Sequence, residues 1–303
     1  MNSHVVNDAV TMATFWVVLY MYIQRQTTHR TTPIDGKNTL LHRDFVEIGQ
    51  GAEGTVYVNL RDNTTCKICN SSSTESKNVR EYKHILSSSP YLIKPYQVRD
   101  HALKQKSTIT MQHGGISLHK ALTCKHSIAI SSKKCNTIAL HICRGIRYLH
   151  HHRLMHGDVK LRNVVVDDKG HARLCDYGTL HSMTPNNCIH RRHVPQVFYY
   201  TSHTHAEGVH DQLSTFAVDW FACAVSLYVM YVHVQRANQT PLTKEDYPFI
   251  VHAEHNICNN RIVLPIKILN ERLLKSYCPM QMTLWIVNAL HEKTNTLPPN
   301  DSV

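Results

Sequence analysis

Three glycines within six positions, Gly49, Gly51 and Gly54, interrupt a run that is otherwise rich in β-branched and aromatic residues, FVEIGQGAEGTVYVNL over 45–60. Strand-forming residues on both sides of a glycine cluster predict a strand, a glycine turn and a second strand. The spelling G-x-G-x-x-G also marks dinucleotide-binding units, but there the third glycine opens a helix, and here it opens Thr55-Val56-Tyr57-Val58, a strand pattern. What remains is a flexible flap whose backbone amides can approach phosphate oxygens, with Val56 placed to cover a flat ring.

Short strand-like runs continue at Thr64–Cys69, Leu92–Val98 and Thr108–Met111, and among them Lys77–Ser87 carries Val79, Tyr82, Ile85 and Leu86 at helical spacing. Together these predict a five-stranded sheet with one helix. Beyond His113-Gly114-Gly115 the period lengthens. Ile138, Ile142, Ile146 and Leu149 stripe a helix that ends in His150-His151-His152, read as an exposed end where imidazolium favours the C-terminal dipole. A second helix is predicted over Val218–His233, and Val164–Val166 with His171–Cys175 reads as a hairpin around Asp168-Lys169-Gly170. The fold class is therefore α+β. It divides into an extension at 1–44 with a hydrophobic run at 9–23, a small β-rich lobe at 45–111, a larger mainly helical lobe at 112–292, and a flexible tail at 293–303.

The helical half also carries a polar sequence, His156-Gly157-Asp158-Val159-Lys160-Leu161-Arg162-Asn163, and Asp176-Tyr177-Gly178 starts 13 residues after Asn163. With these residue types at this spacing the chain resembles the eukaryotic-type serine/threonine protein kinases, whose catalytic loop H-R-D-x-K-x-x-N and metal-binding D-F-G have the same order. Gly49, Gly51, Gly54 and Val56 match the glycine-rich loop of that family, and Lys67 its strand lysine. Glu81, 14 residues on, matches the glutamate that pairs with the lysine. His205-Ala206-Glu207 stands in the place of A-P-E, and 12 residues later Asp219-Trp220-Phe221-Ala222 matches the start of the central helix.

The resemblance implies a bilobal kinase fold that binds ATP and Mg²⁺ and acts on protein substrates. Asp158 would orient or accept the proton of the attacking hydroxyl, Asn163 and Asp176 would hold the metal, and Lys67 would grip the α- and β-phosphates, held by Glu81. Lys160 would neutralise the transferring phosphoryl group, and its place fits the serine/threonine pattern. The alternative is a pseudokinase scaffold that binds ATP or partners without catalysis; Lys67, Asp158, Asn163 and Asp176 are all present, whereas pseudokinases commonly lack one. The spacing disfavours a sugar or small-molecule kinase. The compact length, the HGD loop and Asp-Tyr-Gly also resemble kinases carried by large DNA viruses, herpesviruses among them.

Some positions depart from the pattern. Gly157 replaces the arginine that clamps an activation-segment phosphate in many kinases, and Gln196, 11 residues before Glu207, cannot be phosphorylated. Both departures predict activity that does not depend on activation-segment phosphorylation. Tyr177 replaces Phe and brings a hydroxyl that needs a partner if buried. Arg272 is the candidate partner for Glu207.

Composition adds an anionic partner. With 33 Lys plus Arg against 22 Asp plus Glu the chain carries +11 over 303 residues, and 24 histidines add charge as pH falls. Arg191 and Arg192, flanked by His190 and His193, lie where a kinase meets its peptide and predict acidic or phosphorylated substrates; no specific nucleic-acid partner is expected. Ten cysteines show one C-x-x-C, Cys66 and Cys69, and no disulfide framework, which favours a reducing, intracellular setting. A lone C-x-x-C is weak support for metal, and Lys67 between the cysteines has a better use. Ala9–Ile23 reads as a segment packed on the domain, with a short membrane anchor as the less favoured alternative, since a spanning helix needs about 20 apolar residues. Oligomeric state is not legible in the sequence.

Overall fold

A computed structural model of the protein describes residues 44–51, 54–124, 130–183, 189–190, 213–214, 216–236, 241–251, 261–291 and 298–299. Strands β1 (Phe45–Gly51), β2 (Gly54–Asn59), β3 (Thr64–Asn70), β4 (Pro95–His101) and β5 (Lys106–Gln112) form one antiparallel sheet in the order β1-β2-β3-β5-β4. Helix α1 (Thr74–Ser88) enters between β3 and β4 and packs on β4. Ser73 caps α1 by accepting from the Ser76 N–H, so the helix begins one turn earlier than the apolar spacing alone predicts.

The strands on either side of the glycine run pair with each other, and the last glycine is required for a steric reason. A Cβ on Gly54 would overlap the Ile68 carbonyl oxygen on the neighbouring strand, so only glycine lets β2 approach β3 there. The β1–β2 register slips between Glu47 and Gly49, a bulge that bends the flap at Ile48.

After β6 (Ile116–Ser117) the chain is mainly helical, with α2 (Leu118–Thr123), α3 (Ser132–His151), α4 (Ala217–Arg236), α5 (Ile266–Lys275) and α6 (Met280–Leu290). Strands β8 (Val164–Val166) and β9 (Ala172–Leu174) form the predicted hairpin, with β6 beside β8. The short pairs β7 (Leu154–Met155) with β10 (His181–Ser182), β11 (Ile189–His190) with β12 (Leu213–Ser214), and β13 (Phe249–Val251) with β14 (Arg261–Val263) complete the strands described. α4 is apolar on all sides and runs through the core, contacting α3, α5 and α6. Among the described residues it is the one helix long and apolar enough to cross a membrane, and 83% of its apolar window is buried inside the protein.

A backbone link between the two lobes helps to position the site. Tyr91 and Ile93, between α1 and β4, exchange backbone hydrogen bonds with Leu174 of β9 at 2.9 Å each, so the strand leading into Asp176 is bonded to the β-rich lobe. One continuous apolar cluster spans both lobes, from Val79 of α1 through Ile142 and Ile146 of α3 to Tyr228 of α4 and Ile286 of α6.

The tail expected to be flexible is held where it is described. Pro298 is buried, and its carbonyl, with that of Pro299, accepts from the Arg147 guanidinium on α3. The run at 9–23 lies outside the described residues.

Candidate active site

Lys67 sits in the middle of β3, opposite Val56 of β2 and Ile109 of β5. Directly opposed residues share a face of the sheet, so Val56 and the Lys67 side chain line the same surface under the glycine flap. Cys66 and Cys69, three apart on one strand, project to opposite faces and are both buried, and burial pushes the Cys66 thiol up to about 12. Among the described residues no group of three or more His, Cys, Asp or Glu side chains could hold a metal together.

The Lys67 side chain is 10% exposed, and its ammonium lies between two carboxylates, forming an ion pair with Glu75 of α1 and a second with Asp176 Oδ1 at 3.3 Å. The predicted pairing with Glu81 is corrected here: Glu81 is exposed, and Glu75, 1% exposed, takes its place. Six residues of α-helix rotate a side chain by about 240°, so the two glutamates cannot share a face. Glu75, Asn78, Val79, Tyr82 and Leu86 form the inward stripe instead. Asn78 Nδ2 donates to the Tyr177 carbonyl at 2.8 Å and the Leu180 carbonyl at 3.0 Å, and the Tyr177 N–H donates to Glu75 Oε1 at 3.4 Å. The same helix thus positions Lys67 and the segment after Asp176.

Asp158, Lys160 and Asn163 come together around the turn into β8. Lys160 Nζ donates to Asp158 Oδ2 at 2.6 Å, and Asn163 Nδ2 donates to the Asp158 carbonyl at 3.0 Å and to Oδ2 at 2.8 Å. The amide nitrogen of Asn163 is thereby committed, and its amide oxygen is the atom left for a hard cation. Burial raises the Asp158 carboxyl above its ordinary value, against the pull of Lys160. Burial would raise Asp176 as well, but Lys67, with the Gly178 N–H, outweighs it and holds that carboxyl below the usual range. Asp176 occupies a left-handed backbone position, φ 69°.

Two residues not assigned to the site from sequence hold the catalytic loop. Asp219, fully buried at the start of α4, accepts from the His156 N–H and the Gly157 N–H, each at 2.8 Å, and pairs with His150 Nε2 at 2.8 Å. The reading of His150 as part of an exposed helix end is therefore corrected: its side chain is 10% exposed and its ring stacks on Phe216. His150 lies four residues after Ile146 on the apolar stripe of α3, so the signal was present in the periodicity. His156, fully buried, accepts from the Asp158 N–H at Nδ1 and reaches the Cys175 carbonyl through Nε2 at 3.2 Å, which places its proton on Nε2. The Tyr177 hydroxyl finds the partner its burial demands, donating to the Ile93 carbonyl at 2.7 Å.

The remaining sequence candidates fall in two groups. Gly49, Gly51, Gly54 and Val56 lie on the flap strands. Arg191, Arg192, His193, Gln196, Ala206 and Glu207 lie outside the described residues. The Arg272 guanidinium donates to the Glu245 carbonyl at 3.0 Å and the Tyr228 hydroxyl at 3.4 Å.

A β-rich lobe joined to a helical one, with a lysine held by two carboxylates and an Asp-Lys-Asn cluster on the helical side, has the architecture of a protein kinase domain. The protein kinase domain family matches residues 42–272, more than half of the chain, and the chain belongs to that family. It is similar to serine/threonine-protein kinase fused of Drosophila melanogaster, 26% identical over 45% of this chain and 18% of the relative. Mitogen-activated protein kinase kinase 10 of Arabidopsis thaliana is 30% identical over 49% of this chain and 48% of its own. Carbon catabolite-derepressing protein kinase of Candida glabrata is 24% identical over 76% of this chain and 37% of its own. The chain thus spans less than half the length of each of these relatives.

Proposed function

We propose that the chain is an active protein kinase that transfers the γ-phosphoryl group of ATP to Ser or Thr hydroxyls of protein substrates. The observation that carries this is the paired network itself: Lys67 held by Glu75 and Asp176, and Asp158 held by Lys160 and Asn163. In the proposed reaction the acceptor oxygen bonds to the γ-phosphorus, the bond from that phosphorus to the β–γ bridging oxygen breaks, and ADP leaves with the electron pair. The hydroxyl proton passes to the Asp158 carboxylate.

The residues present fit a magnesium ion, since the Asp176 carboxylate and the Asn163 amide oxygen are hard ligands of the kind that ion takes. When bound, Mg²⁺ supplies positive charge against the phosphate oxygens. Lys67 supplies charge to the α- and β-phosphates, Val56 covers the adenine, and Lys160 moves from Asp158 toward the transferring group. Lys160 supports hydroxyl acceptors of the serine/threonine type, as does the similarity to serine/threonine-protein kinase fused of Drosophila melanogaster.

Radiolabelled ATP, Mg²⁺ and mixed basic and acidic protein substrates test the reading in the purified full chain. Wild type transfers label, and Lys67→Met and Asp176→Asn each lower transfer on the order of 100-fold or more. A wild type that binds ATP but transfers nothing would make the chain a scaffold.

A further inference from the structure

Four residues beyond Asp158 the chain places Arg162 on the surface. It lies in the 3-10 turn Leu161–Asn163, is exposed, and makes no ion pair or hydrogen bond with any described residue. Helix α2 packs directly on that turn and brings two further basic side chains, His119 and Lys120. Lys120 reaches across the mouth of the cleft, donating from Nζ to the Ile48 carbonyl at 2.9 Å, at the bulge of the glycine flap. Its partner is a neutral oxygen, and among the described residues no carboxylate forms an ion pair with Lys120. Asp158 does not compensate it either, because Lys160 already pairs with that carboxylate.

We infer that Arg162, His119 and Lys120 form a binding surface for acidic or phosphorylated residues flanking the phosphoacceptor of a substrate peptide. The inference rests on the kinase reading above and names its substrate class. Any peptide that presents a hydroxyl to Asp158 must lay its neighbouring residues over the surface beside that loop. Arg162 offers a planar fork of donors that matches carboxylate and phosphate oxygens two at a time. Half-buried His119 lies in the field of both cations, and its pKa is lowered first by burial and then by Arg162, His233 and Lys120, so it contributes a neutral N–H donor. His233, behind it, is buried and pairs with Asp246 at 3.5 Å. None of these three residues belongs to the Arg191 and Arg192 cluster that the sequence singled out.

The test compares peptides with one Ser acceptor and flanks of Asp, Glu and phosphoserine, or of Lys and Arg. Wild type favours the acidic peptide at least about tenfold in kcat/KM. Arg162→Glu lowers that preference by at least about tenfold and raises turnover of the basic peptide, which also shows that the variant folds; Arg162→Lys keeps most of the preference. A wild type that favours the basic peptide, or an Arg162→Glu variant with an unchanged ratio, overturns the inference and leaves the kinase reading intact. If wild type phosphorylates neither peptide, the kinase reading fails, and fluorescence anisotropy with labelled acidic peptide decides the surface alone. Weaker binding by Arg162→Glu sustains it and equal binding overturns it. Arg162-dependent binding of a single-stranded oligonucleotide, with no binding of the acidic peptide, likewise overturns it.

Discussion

Two carboxylates in one cleft are driven apart by their neighbours, and that separation suits the roles proposed for them. Burial raises Asp158, and Lys160 at 2.6 Å only partly offsets it. Asp176 is buried too, but Lys67 at 3.3 Å holds it charged. A base must be ionised to accept a proton, so activity is lost as pH falls through the Asp158 pKa, which lies above the ordinary aspartate value of about 3.9. Asp176 remains charged across that range. Lys160 is among the groups lowering the Asp158 pKa, so Lys160→Met moves the acid limb of the kcat/KM profile to higher pH and lowers its plateau on the order of 100-fold. A profile of the variant with its acid limb unmoved would show that Asp158 is not the titrating base.

At the scale of one element, α1 decides whether Lys67 is in place. Glu75, Asn78 and Val79 sit on its inward stripe and are buried, while Glu81 faces solvent. Glu75→Gln therefore lowers kcat/KM on the order of 100-fold by freeing Lys67, whereas Glu81→Gln stays within about twofold of wild type, as exposed substitutions usually do. Steady-state phosphotransfer on both variants checks this, and the reverse order of effects would return the pairing to Glu81. The difference also shows where the sequence was legible. Glycines, strand lysine, catalytic loop and Asp-Tyr-Gly are local patterns, and each strand and hairpin near them was readable from its own residues. Glu75 was not, because its role depends on where the helix starts, and Ser73 moves that start to Thr74. Asp219 was recognised as a motif, yet its task of holding two backbone N–H groups 62 and 63 residues earlier is set by tertiary packing. His150 was misread because its neighbours His151 and His152 suggested a surface cluster, although the apolar period included it.

Across the whole molecule, the residues proposed for catalysis are held in place by contacts already present in the fold. Asp219 fixes the loop from α4, the Thr179 hydroxyl donates to the His156 carbonyl at 2.8 Å, and α1 is bonded to the segment after Asp176 through Asn78. Gly157 belongs to this arrangement and is more than a lost arginine. Its φ is +79°, and a Cβ there would stand 2.7 Å from the Thr179 carbonyl oxygen, so the loop accepts no side chain without moving. A loop pinned by α4 and Thr179, with no cation at 157 to answer a phosphate, has no electrostatic reason to wait for one. The expected outcome is that protein treated with a broad-specificity phosphatase keeps its kcat/KM within about twofold, the scatter of a minor perturbation. Intact mass before and after treatment confirms that phosphate was removed. Loss of activity on dephosphorylation, with recovery after re-phosphorylation between Thr179 and Thr204, would show instead that a phosphate completes the site through some group other than residue 157.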